Sequence, residues 1–181
     1  VSLPDGVVVG EGAFSQCKSL ESVVLGNRVT LENYAFHMDK DESFTINSYE
    51  EDGKRYFYYT LSSNLTALVI GDDAVLGESA FAGHASLTTV RLGANAKLGR
   101  MAFYNCSSLI GIALSQVTEI GDYAFSGCSG LKSVKLPETL TTIESFAFYG
   151  CTSLETIELP ESLEAIEQMA FQNCTGLKEI T

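Results

Sequence analysis

The stretch Ile120–Leu136, I-G-D-Y-A-F-S-G-C-S-G-L-K-S-V-K-L, contains the pattern that decides the fold. Its apolar positions, in order, are Ile120, Ala124, Phe125, Cys128, Leu131, Val134 and Leu136. The same order of residue types returns along the whole chain of 181 residues. A pattern that recurs with a fixed period of this length indicates a repeat architecture, in which each copy forms one structural unit.

The aromatic position of the pattern marks the period. It is occupied by Phe14, Phe36, Phe81, Phe103, Phe125, Phe148 and Phe171. Neighbouring positions are 22 or 23 residues apart, except for one gap of 45 residues, which equals two periods. Tyr59 lies one period after Phe36 and follows Tyr58, so the spacing predicts that this Tyr-Tyr pair replaces Ala-Phe in one disguised copy.

Other positions repeat with the same period. A Leu follows the aromatic residue by six positions, a Val or Ile by nine and another Leu by eleven, while an aliphatic residue precedes it by five. One copy cannot bury this apolar stripe alone, but stacked copies cover one another. The alternating segment L-x-x-V-x-L predicts a strand, and stacking in register predicts a parallel sheet. The crossover between parallel strands contains A-F-x-x-C, whose spacing predicts a short helical turn.

The consensus L-x-x-I-x-L-P-x-x-L-x-x-I-x-x-x-A-F-x-x-C-x-x-L resembles the leucine-rich repeats of BspA-like (Treponema pallidum-type) bacterial surface proteins. The resemblance covers essentially the whole chain and is closest over residues 131–181. It implies an α/β-type leucine-rich repeat solenoid of about eight coils of 22–23 residues, with one parallel β-sheet face and short helical turns. It also implies adhesion to proteins of a host or a neighbouring cell, because relatives are associated with extracellular matrix ligands.

Residues 37–58 depart from the pattern and predict an irregular coil. Phe44 and Ile46 lie one residue out of phase, and such a slip turns each side chain to the other face of a strand. Asp52-Gly53 is a hairpin turn signal between two strand-like segments. We therefore expect an irregular repeat or a β-hairpin over residues 43–60.

Tyrosines are concentrated in this irregular region. The candidate aromatic patch consists of Tyr49, Tyr56 and Tyr58. Tyr is enriched at the energetically important centres of protein interfaces. The patch is therefore either a partner-binding site or local packing that compensates for the damaged repeat.

The unbroken period predicts one elongated domain over residues 1–181. The chain begins at Val1-Ser2-Leu3-Pro4 and ends at Ile180-Thr181, and both points match the middle of a repeat. Solenoids normally carry polar caps at their ends. We therefore expect a fragment of a longer protein, with an export signal and an anchor outside it.

Charge and composition narrow the classes of partner. The chain carries 23 acidic and 11 basic residues, a net charge of −12 at pH 7. Nucleic acids are bound by clustered Lys and Arg, so we expect no nucleic-acid partner. A run of 18 apolar residues, the minimum for a membrane span, is absent from the sequence, so we expect no membrane insertion. Glycine-rich phosphate-binding motifs are also absent from the sequence, and no cofactor is expected.

The cysteines follow the period as well. Each of them lies three residues after a Phe, at Cys17, Cys106, Cys128, Cys151 and Cys174. Stacking places the last four in a row at about 4.8 Å, a separation that permits a disulfide, although side chains in register point the same way. Zinc requires ligands that converge tetrahedrally, which a row does not provide. Buried free thiols are our main interpretation, with a disulfide or a metal site as alternatives.

No constellation in the sequence indicates catalysis. His37 and His84 lie in turns of different copies, and a catalytic pair needs hydrogen-bond reach. The acidic residues of the irregular copy form a solvated loop or a weak cation site, and they lack the spacing of a calcium loop. These residues are Asp39, Asp41, Glu42, Glu50, Glu51 and Asp52. We therefore expect neither a catalytic nor a metal site.

Residues between the buried positions of the strands are predicted to point outward and to form a flat surface. The candidate partner-binding face comprises Val24, Ala67, Val69, Thr89, Arg91, Ala113, Lys135 and Glu158. Solenoids commonly bind macromolecules through such extended surfaces. Our first hypothesis is a protein-interaction or adhesion module of an exported bacterial cell-surface protein. The alternatives are a structural stalk that presents other domains, or an accessory module of an enzyme.

Overall fold

A computed structural model of the chain describes residues 1–38 and 64–181 with their side chains, and residues 46–51 and 54–59 as backbone strands. In chain order the strands are β1 (Ser2–Leu3), β2 (Val8–Val9), β3 (Ser22–Leu25), β4 (Thr30–Leu31), β5 (Ile46–Glu51), β6 (Lys54–Tyr59), β7 (Ala67–Ile70), β8 (Val75–Leu76), β9 (Thr89–Leu92), β10 (Lys97–Leu98), β11 (Gly111–Ala113), β12 (Glu119–Ile120), β13 (Ser133–Lys135), β14 (Thr142–Ile143), β15 (Thr156–Glu158), β16 (Ala165–Ile166) and β17 (Glu179–Ile180).

The chain coils into a leucine-rich repeat solenoid of about seven turns, which confirms the predicted fold. One wall is a parallel sheet of eight strands in the order β1-β3-β7-β9-β11-β13-β15-β17. Strands of successive coils lie in register, so that Ser133 pairs with Thr156 and Val134 with Ile157. A second parallel wall has the order β12-β10-β8-β4-β2, and β14 pairs with β16 in the same manner.

The core between the walls contains one ladder of phenylalanine rings. The rings of Phe103, Phe125 and Phe148 stack with centroid separations of 5.6 and 5.5 Å and interplanar angles of 8° and 9°. All three side chains are fully buried. Leucine, isoleucine and valine from both walls pack around the ladder. Because each coil covers the apolar flank of the next, stability depends on contacts between neighbouring coils.

The predicted helical turns are wrong: the described residues contain no helix, and A-F-x-x-C forms a series of turns. The residue before each Ala-Phe pair has a positive φ, such as 57° at Met101. Outside the coil of Phe36, so does the second residue after Phe, such as 59° at Asn105. The N–H groups of Met101 and Phe103 donate to Asp122 and Ala124 of the next coil, at 2.8 and 2.9 Å. Left-handed residues and hydrogen bonds between coils replace the internal bonds that a helix needs.

The long gap in the period is an insertion and not a disguised coil, so the predicted equivalence of Tyr58-Tyr59 with Ala-Phe is wrong. Strand β3 pairs directly with β7, and Phe36 stacks directly on Phe81 at 5.1 Å. Between them, β5 and β6 form an antiparallel pair in which Tyr49 lies opposite Tyr56. The predicted turn at Asp52-Gly53 lies outside the described residues. The coils on either side of the irregular region therefore stack directly on each other.

At the turn that follows β10, neighbouring coils lie so close together that the backbone leaves no room for a side chain. An added Cβ at Gly99 would lie 2.5 Å from the carbonyl oxygen of Leu76 in the previous coil. The N–H of Gly99 donates to that same oxygen at 2.9 Å. This glycine is therefore required by the close backbone contact that brings the second wall into register.

Candidate functional site

The strands of the eight-stranded wall expose alternate residues, which together we call the sheet face. It consists of Ser2, Ser22, Val24, Ala67, Val69, Thr89, Arg91, Gly111, Ala113, Ser133, Lys135, Thr156, Glu158 and Glu179. Small side chains predominate, and alternation is what a sheet with one buried face requires. The face is therefore a broad and shallow surface without a deep cleft among the described residues.

All eight residues predicted from the sequence to form a partner-binding surface lie on the sheet face. One column runs through register pairs such as Val24–Val69 and Val69–Arg91, and it continues in the later strands through Ala113, Lys135 and Glu158. Its neighbouring column brings Ala67 beside Thr89. Ala67 is half-buried and the other seven are exposed. The structure thus assembles these side chains into one contiguous surface, while their role in binding stays a prediction.

Charge is distributed unevenly between the sheet face and the rest of the molecule. The face carries two basic side chains, Arg91 and Lys135, and two acidic ones, Glu158 and Glu179. Its net charge is therefore zero, although the whole chain has a net charge of −12. The remaining surface is strongly acidic and repels other acidic molecules. An acidic partner is therefore repelled less by the sheet face than by the rest of the surface.

The two halves of the sheet face differ in polarity. Val24 and Val69, neighbours on β3 and β7, expose 42% and 38% of their surface, whereas the equivalent positions in the later strands include Arg91, Lys135 and Glu158. Beside the far end of the face, just before β17 and β15, the Lys178 ammonium lies 3.0 Å from the Glu155 carboxylate. This hydrogen bond, together with the positive charge, lowers the pKa of Glu155. The N-terminal half of the sheet face therefore presents apolar side chains to a partner, and the C-terminal half presents charged ones.

A shallow polar hollow lies at the N-terminal ends of three strands of the eight-stranded wall. It is lined by Glu21, Asn64, Thr66 and Ser86, residues that precede β3, β7 and β9. The side chain of Thr66 donates to the carbonyl oxygen of Glu21 at 3.4 Å. The hollow adjoins Asn64, where the described chain resumes after the insertion.

The predicted aromatic patch falls in that insertion. The backbone of β5 and β6 places Tyr49 opposite Tyr56 and Tyr58 opposite Asn47. Their side chains lie outside the part of the chain that the structure describes. The predicted patch therefore keeps its two interpretations, binding and local packing.

A second cluster of aromatic residues, half-buried between coils, was not predicted from the sequence. The rings of Tyr123 and Phe146 stack with a centroid separation of 4.5 Å, and the Arg100 guanidinium lies 5.4 Å from the Tyr123 ring centre. Both aromatic residues have positive φ, 56° and 58°. Stacking between coils offsets the cost of this conformation for a bulky residue. In the sequence, large side chains recur two residues before the Phe of several coils. The cluster could have been predicted from this recurrence.

Four of the five cysteines donate a hydrogen bond to a backbone carbonyl of the preceding coil, whereas the exposed Cys17 makes no such bond to the residues that the structure describes. Cys106, Cys128 and Cys151 are buried, and the Cys128 thiol donates to the Phe103 carbonyl oxygen at 3.2 Å. Burial raises the pKa of Cys128 to about 12. All five are free thiols. The row of cysteines thus supplies small apolar side chains whose S–H groups are satisfied.

We expect thiol-specific reagents to separate these cysteines by exposure. Cys17 is exposed and should react within minutes with 5,5′-dithiobis(2-nitrobenzoic acid) at pH 8, because its thiol is accessible. Cys106, Cys128 and Cys151 should react only in denaturant, since they are buried. Mass spectrometry of labelled peptides measures each site. Rapid native labelling of Cys128 would contradict its burial.

His84 occupies a cysteine position and makes the same kind of contact. Its Nε2 lies 2.6 Å from the carbonyl oxygen of Phe36, the coil before the insertion. Its ring is buried. His84 therefore has a structural role at the junction where the insertion leaves the stack. The acidic residues that we considered for cation binding, between 39 and 52, have side chains outside the described residues.

The described part of the chain groups no three His, Cys, Asp or Glu side chains closely enough to hold a metal ion. It also contains no helix that is long and apolar enough to cross a membrane.

Comparisons with known proteins agree with this architecture. A family model, the BspA type leucine-rich repeat region, matches in six copies over residues 1–110 and 96–181. None of the curated proteins compared with the chain matches it.

Several solved structures are similar. A leucine-rich repeat protein from Bacteroides ovatus is 25% identical with a TM-score of 0.61, over 96% of this chain and 52% of that protein. A leucine-rich cell surface protein from Faecalibacterium prausnitzii is 26% identical with a TM-score of 0.57, over 99% of this chain and 59% of that protein. A leucine-rich repeat protein from Eubacterium ventriosum, at 20% identity and a TM-score of 0.54, shares the fold over 99% of this chain and 55% of that protein. The chain spans just over half the length of these proteins.

Proposed function

The chain belongs to the BspA-type leucine-rich repeat family, and from this premise we propose that it is a protein-binding module that acts at a bacterial cell surface through its sheet face. One observation carries the proposal: the sheet face has no net charge in a chain whose net charge is −12. A face without net charge lets a partner approach without the repulsion that the acidic remainder exerts on other acidic molecules. The description of the Faecalibacterium prausnitzii relative as a cell surface protein supports the location.

The shape of the sheet face favours a macromolecular partner over a small molecule. Small-molecule sites are concave and enclose most of the ligand. The sheet face is instead shallow and extends over eight strands in register. Adhesion to a protein of a host, of a neighbouring cell or of the extracellular matrix is the form of binding that we propose.

Substitution of Ala113 by arginine tests this role. Ala113 is exposed in the middle of the sheet face, and a long charged side chain there should obstruct a partner that lies flat on it. We expect at least tenfold weaker binding to those members of a panel of immobilised extracellular matrix proteins that the unmodified chain binds, measured by surface plasmon resonance. Ala67→Arg, two strands away, should have the same effect.

The matched control is Ala165→Arg, which places the same side chain on β16, in the separate β14–β16 sheet and away from the sheet face. It should leave binding unchanged, and circular dichroism should show that all three variants fold. If every ligand still binds Ala67→Arg and Ala113→Arg with unchanged affinity, the sheet face is not the binding surface. If the unmodified chain binds no member of the panel, the structural spacer becomes the favoured function.

A further inference from the structure

We propose that the turns that follow strands β10, β12, β14 and β16 form a second interaction surface, which binds an arginine-rich segment of a partner protein between aromatic rings and carboxylates. The surface consists of a row of large apolar side chains, which we call the turn stripe, and of the acidic residues beside it. The turn stripe comprises Met101, Tyr123, Phe146, Tyr149 and Met169. It shares no residue with the sheet face, so this inference does not rest on the proposed function.

The side chains of the turn stripe form one row across four coils. The Tyr123 and Phe146 rings stack at 4.5 Å, and the Phe146 ring centre lies 5.8 Å from that of Tyr149. Backbone hydrogen bonds hold the turns in register, since the Phe146 N–H donates to the Gln168 oxygen at 2.9 Å. Met169 exposes 45% of its surface, and the other members of the stripe are half-buried. Aromatic residues and methionine are enriched in protein interfaces, so the stripe has the composition of a contact surface.

The turn itself does not require these large side chains. The position two residues before Phe has a positive φ in every described coil, and Gly12 and Ser79 occupy it in two of them, with φ of 63° and 55°. Glycine adopts this conformation at little cost, whereas an aromatic residue rarely adopts it. A small residue therefore suffices to form the turn. Binding gives the accessible surface of Tyr123 and Phe146 a role that turn formation does not.

Acidic residues outnumber basic ones beside the turn stripe. In the second-wall strands and following turns from β10 to β16, the basic residues are Lys97 and Arg100. Lys97 pairs with Glu119 at 3.6 Å, and Arg100 pairs with Glu78 at 2.6 Å, so both cations are already engaged. The acidic residues of the same segments are Glu119, Asp122, Glu144 and Glu167.

Glu144 lies among carboxylates that have no basic partner. Partial burial raises the pKa of Glu144, and the carboxylates of Asp122, Glu167 and Glu119 raise it further. Within the described residues, no basic side chain forms an ion pair with Asp122, Glu144 or Glu167. A positively charged group placed among them would relieve their mutual repulsion, whereas an acidic group would add to it. The charge of this surface therefore selects a cationic partner.

Arg100 shows the contact that the partner is expected to make. Its guanidinium lies 5.4 Å from the centre of the Tyr123 ring, while its Nη1 donates to the Glu78 carboxylate at 2.6 Å. One coil later Phe146 takes the place of Tyr123, and the residue equivalent to Arg100 is Asp122. This place therefore combines a ring with a carboxylate and lacks the guanidinium. An arginine of the partner supplies it, because a guanidinium both stacks on an aromatic ring and forms paired hydrogen bonds with a carboxylate.

The test uses two fluorescein-labelled peptides of equal charge, which carry three arginines or three lysines at alternate positions among glycine and serine. Fluorescence anisotropy at physiological ionic strength measures their binding. We expect saturable binding of the arginine peptide and at least fivefold weaker binding of the lysine peptide, since lysine has no planar group to stack. Phe146→Leu keeps an apolar side chain but removes the ring, so its affinities for the two peptides should lie within twofold of each other. Circular dichroism checks that this variant folds.

Glu144→Gln and Glu161→Gln form a matched pair, because each removes one negative charge. Glu161 is exposed on the turn between β15 and β16, whereas the turn stripe follows β16. Glu144→Gln should weaken binding of the arginine peptide at least fivefold, and Glu161→Gln less than twofold. The inference is overturned if the arginine peptide does not bind, if the lysine peptide binds the unmodified chain equally well, or if the two glutamine variants have equal effects. Ala113→Arg should change peptide binding by less than twofold, which separates this surface from the sheet face.

Discussion

Replacement of Phe125 by alanine is expected to lower the free energy of unfolding by about 3–5 kcal/mol, the cost typical of removing a buried aromatic ring. Phe125 has no exposed surface and stacks between Phe103 and Phe148, at 5.6 and 5.5 Å. Its removal opens a cavity that the rigid coils on both sides cannot close. Urea titration followed by circular dichroism measures the loss.

Phe171→Ala provides the control for position in the ladder. Phe171 is only partly buried, and the structure shows a ring stacked on it from Phe148 alone, at 5.5 Å. Its replacement should therefore cost less than half as much as that of Phe125. Hydrogen exchange should show that Phe125→Ala loosens mainly the two adjacent coils, because coils interact with their neighbours only. A cost below about 1 kcal/mol for Phe125→Ala would show that the ring does not lie within the stack.

The period alone predicted the main features of the solenoid. Val134 and Leu136 alternate with polar residues, and the same alternation one period later set the register that pairs Val134 with Ile157. Stacking of the phenylalanines also follows from the spacing. These features are predictable because identical copies can bury their apolar stripes in only one way, against each other.

The turns could not be predicted in the same way. A spacing of i, i+1 and i+4 is compatible with a helical turn, and it does not reveal that Tyr123 and Phe146 adopt positive φ. Aromatic residues rarely adopt this conformation. The conformation follows from hydrogen bonds between coils, such as Phe125 N–H to the Ala147 oxygen at 2.8 Å, which exist only in the assembled stack.

The insertion was located by its irregular pattern, but its relation to the coils was not predicted. Tyr59 is in phase with the period, and counting alone assigned it to the ladder. The direct contact of Phe36 with Phe81 excludes it from that position. Of the predicted binding surface, the sequence identified which residues point outward from the strands. The unequal distribution of charge between that surface and the rest of the molecule became evident only from the arrangement of the strands.

His84 shows how the stack adapts to the insertion. In regular coils a cysteine thiol donates to the carbonyl of a phenylalanine, as Cys128 does to Phe103. At the coil after the insertion the longer imidazole of His84 contacts the Phe36 carbonyl oxygen. Burial lowers the pKa of His84 to about 4 from the ordinary value of 6.5; the hydrogen bond to Phe36 opposes this shift, and the nearby His37 adds to it. The folded protein therefore holds His84 in its neutral form at neutral pH.

The protein is therefore expected to lose about 3 kcal/mol of stability through His84 alone when the pH falls from 7 to 4. The unfolded chain binds a proton on this histidine below pH 6.5, whereas the folded chain does so only near pH 4. Stability should be constant above pH 6.5, fall between the two values and level off below the lower one. Urea titrations at half-unit pH intervals measure this dependence.

Other groups also titrate in this range, so the informative quantity is the difference between the unmodified chain and His84→Cys. Glu144 is one of them, because partial burial and the carboxylates of Asp122, Glu167 and Glu119 raise its pKa. The cysteine variant keeps that contribution, and it restores the residue type that regular coils use at the position of His84. Its stability relative to the unmodified chain should therefore improve by about 3 kcal/mol as the pH falls from 7 to 4. A constant difference across this range would mean that His84 is as free to accept a proton in the folded chain as in the unfolded one, and that its contact with the Phe36 carbonyl does not hold it in a buried, neutral state.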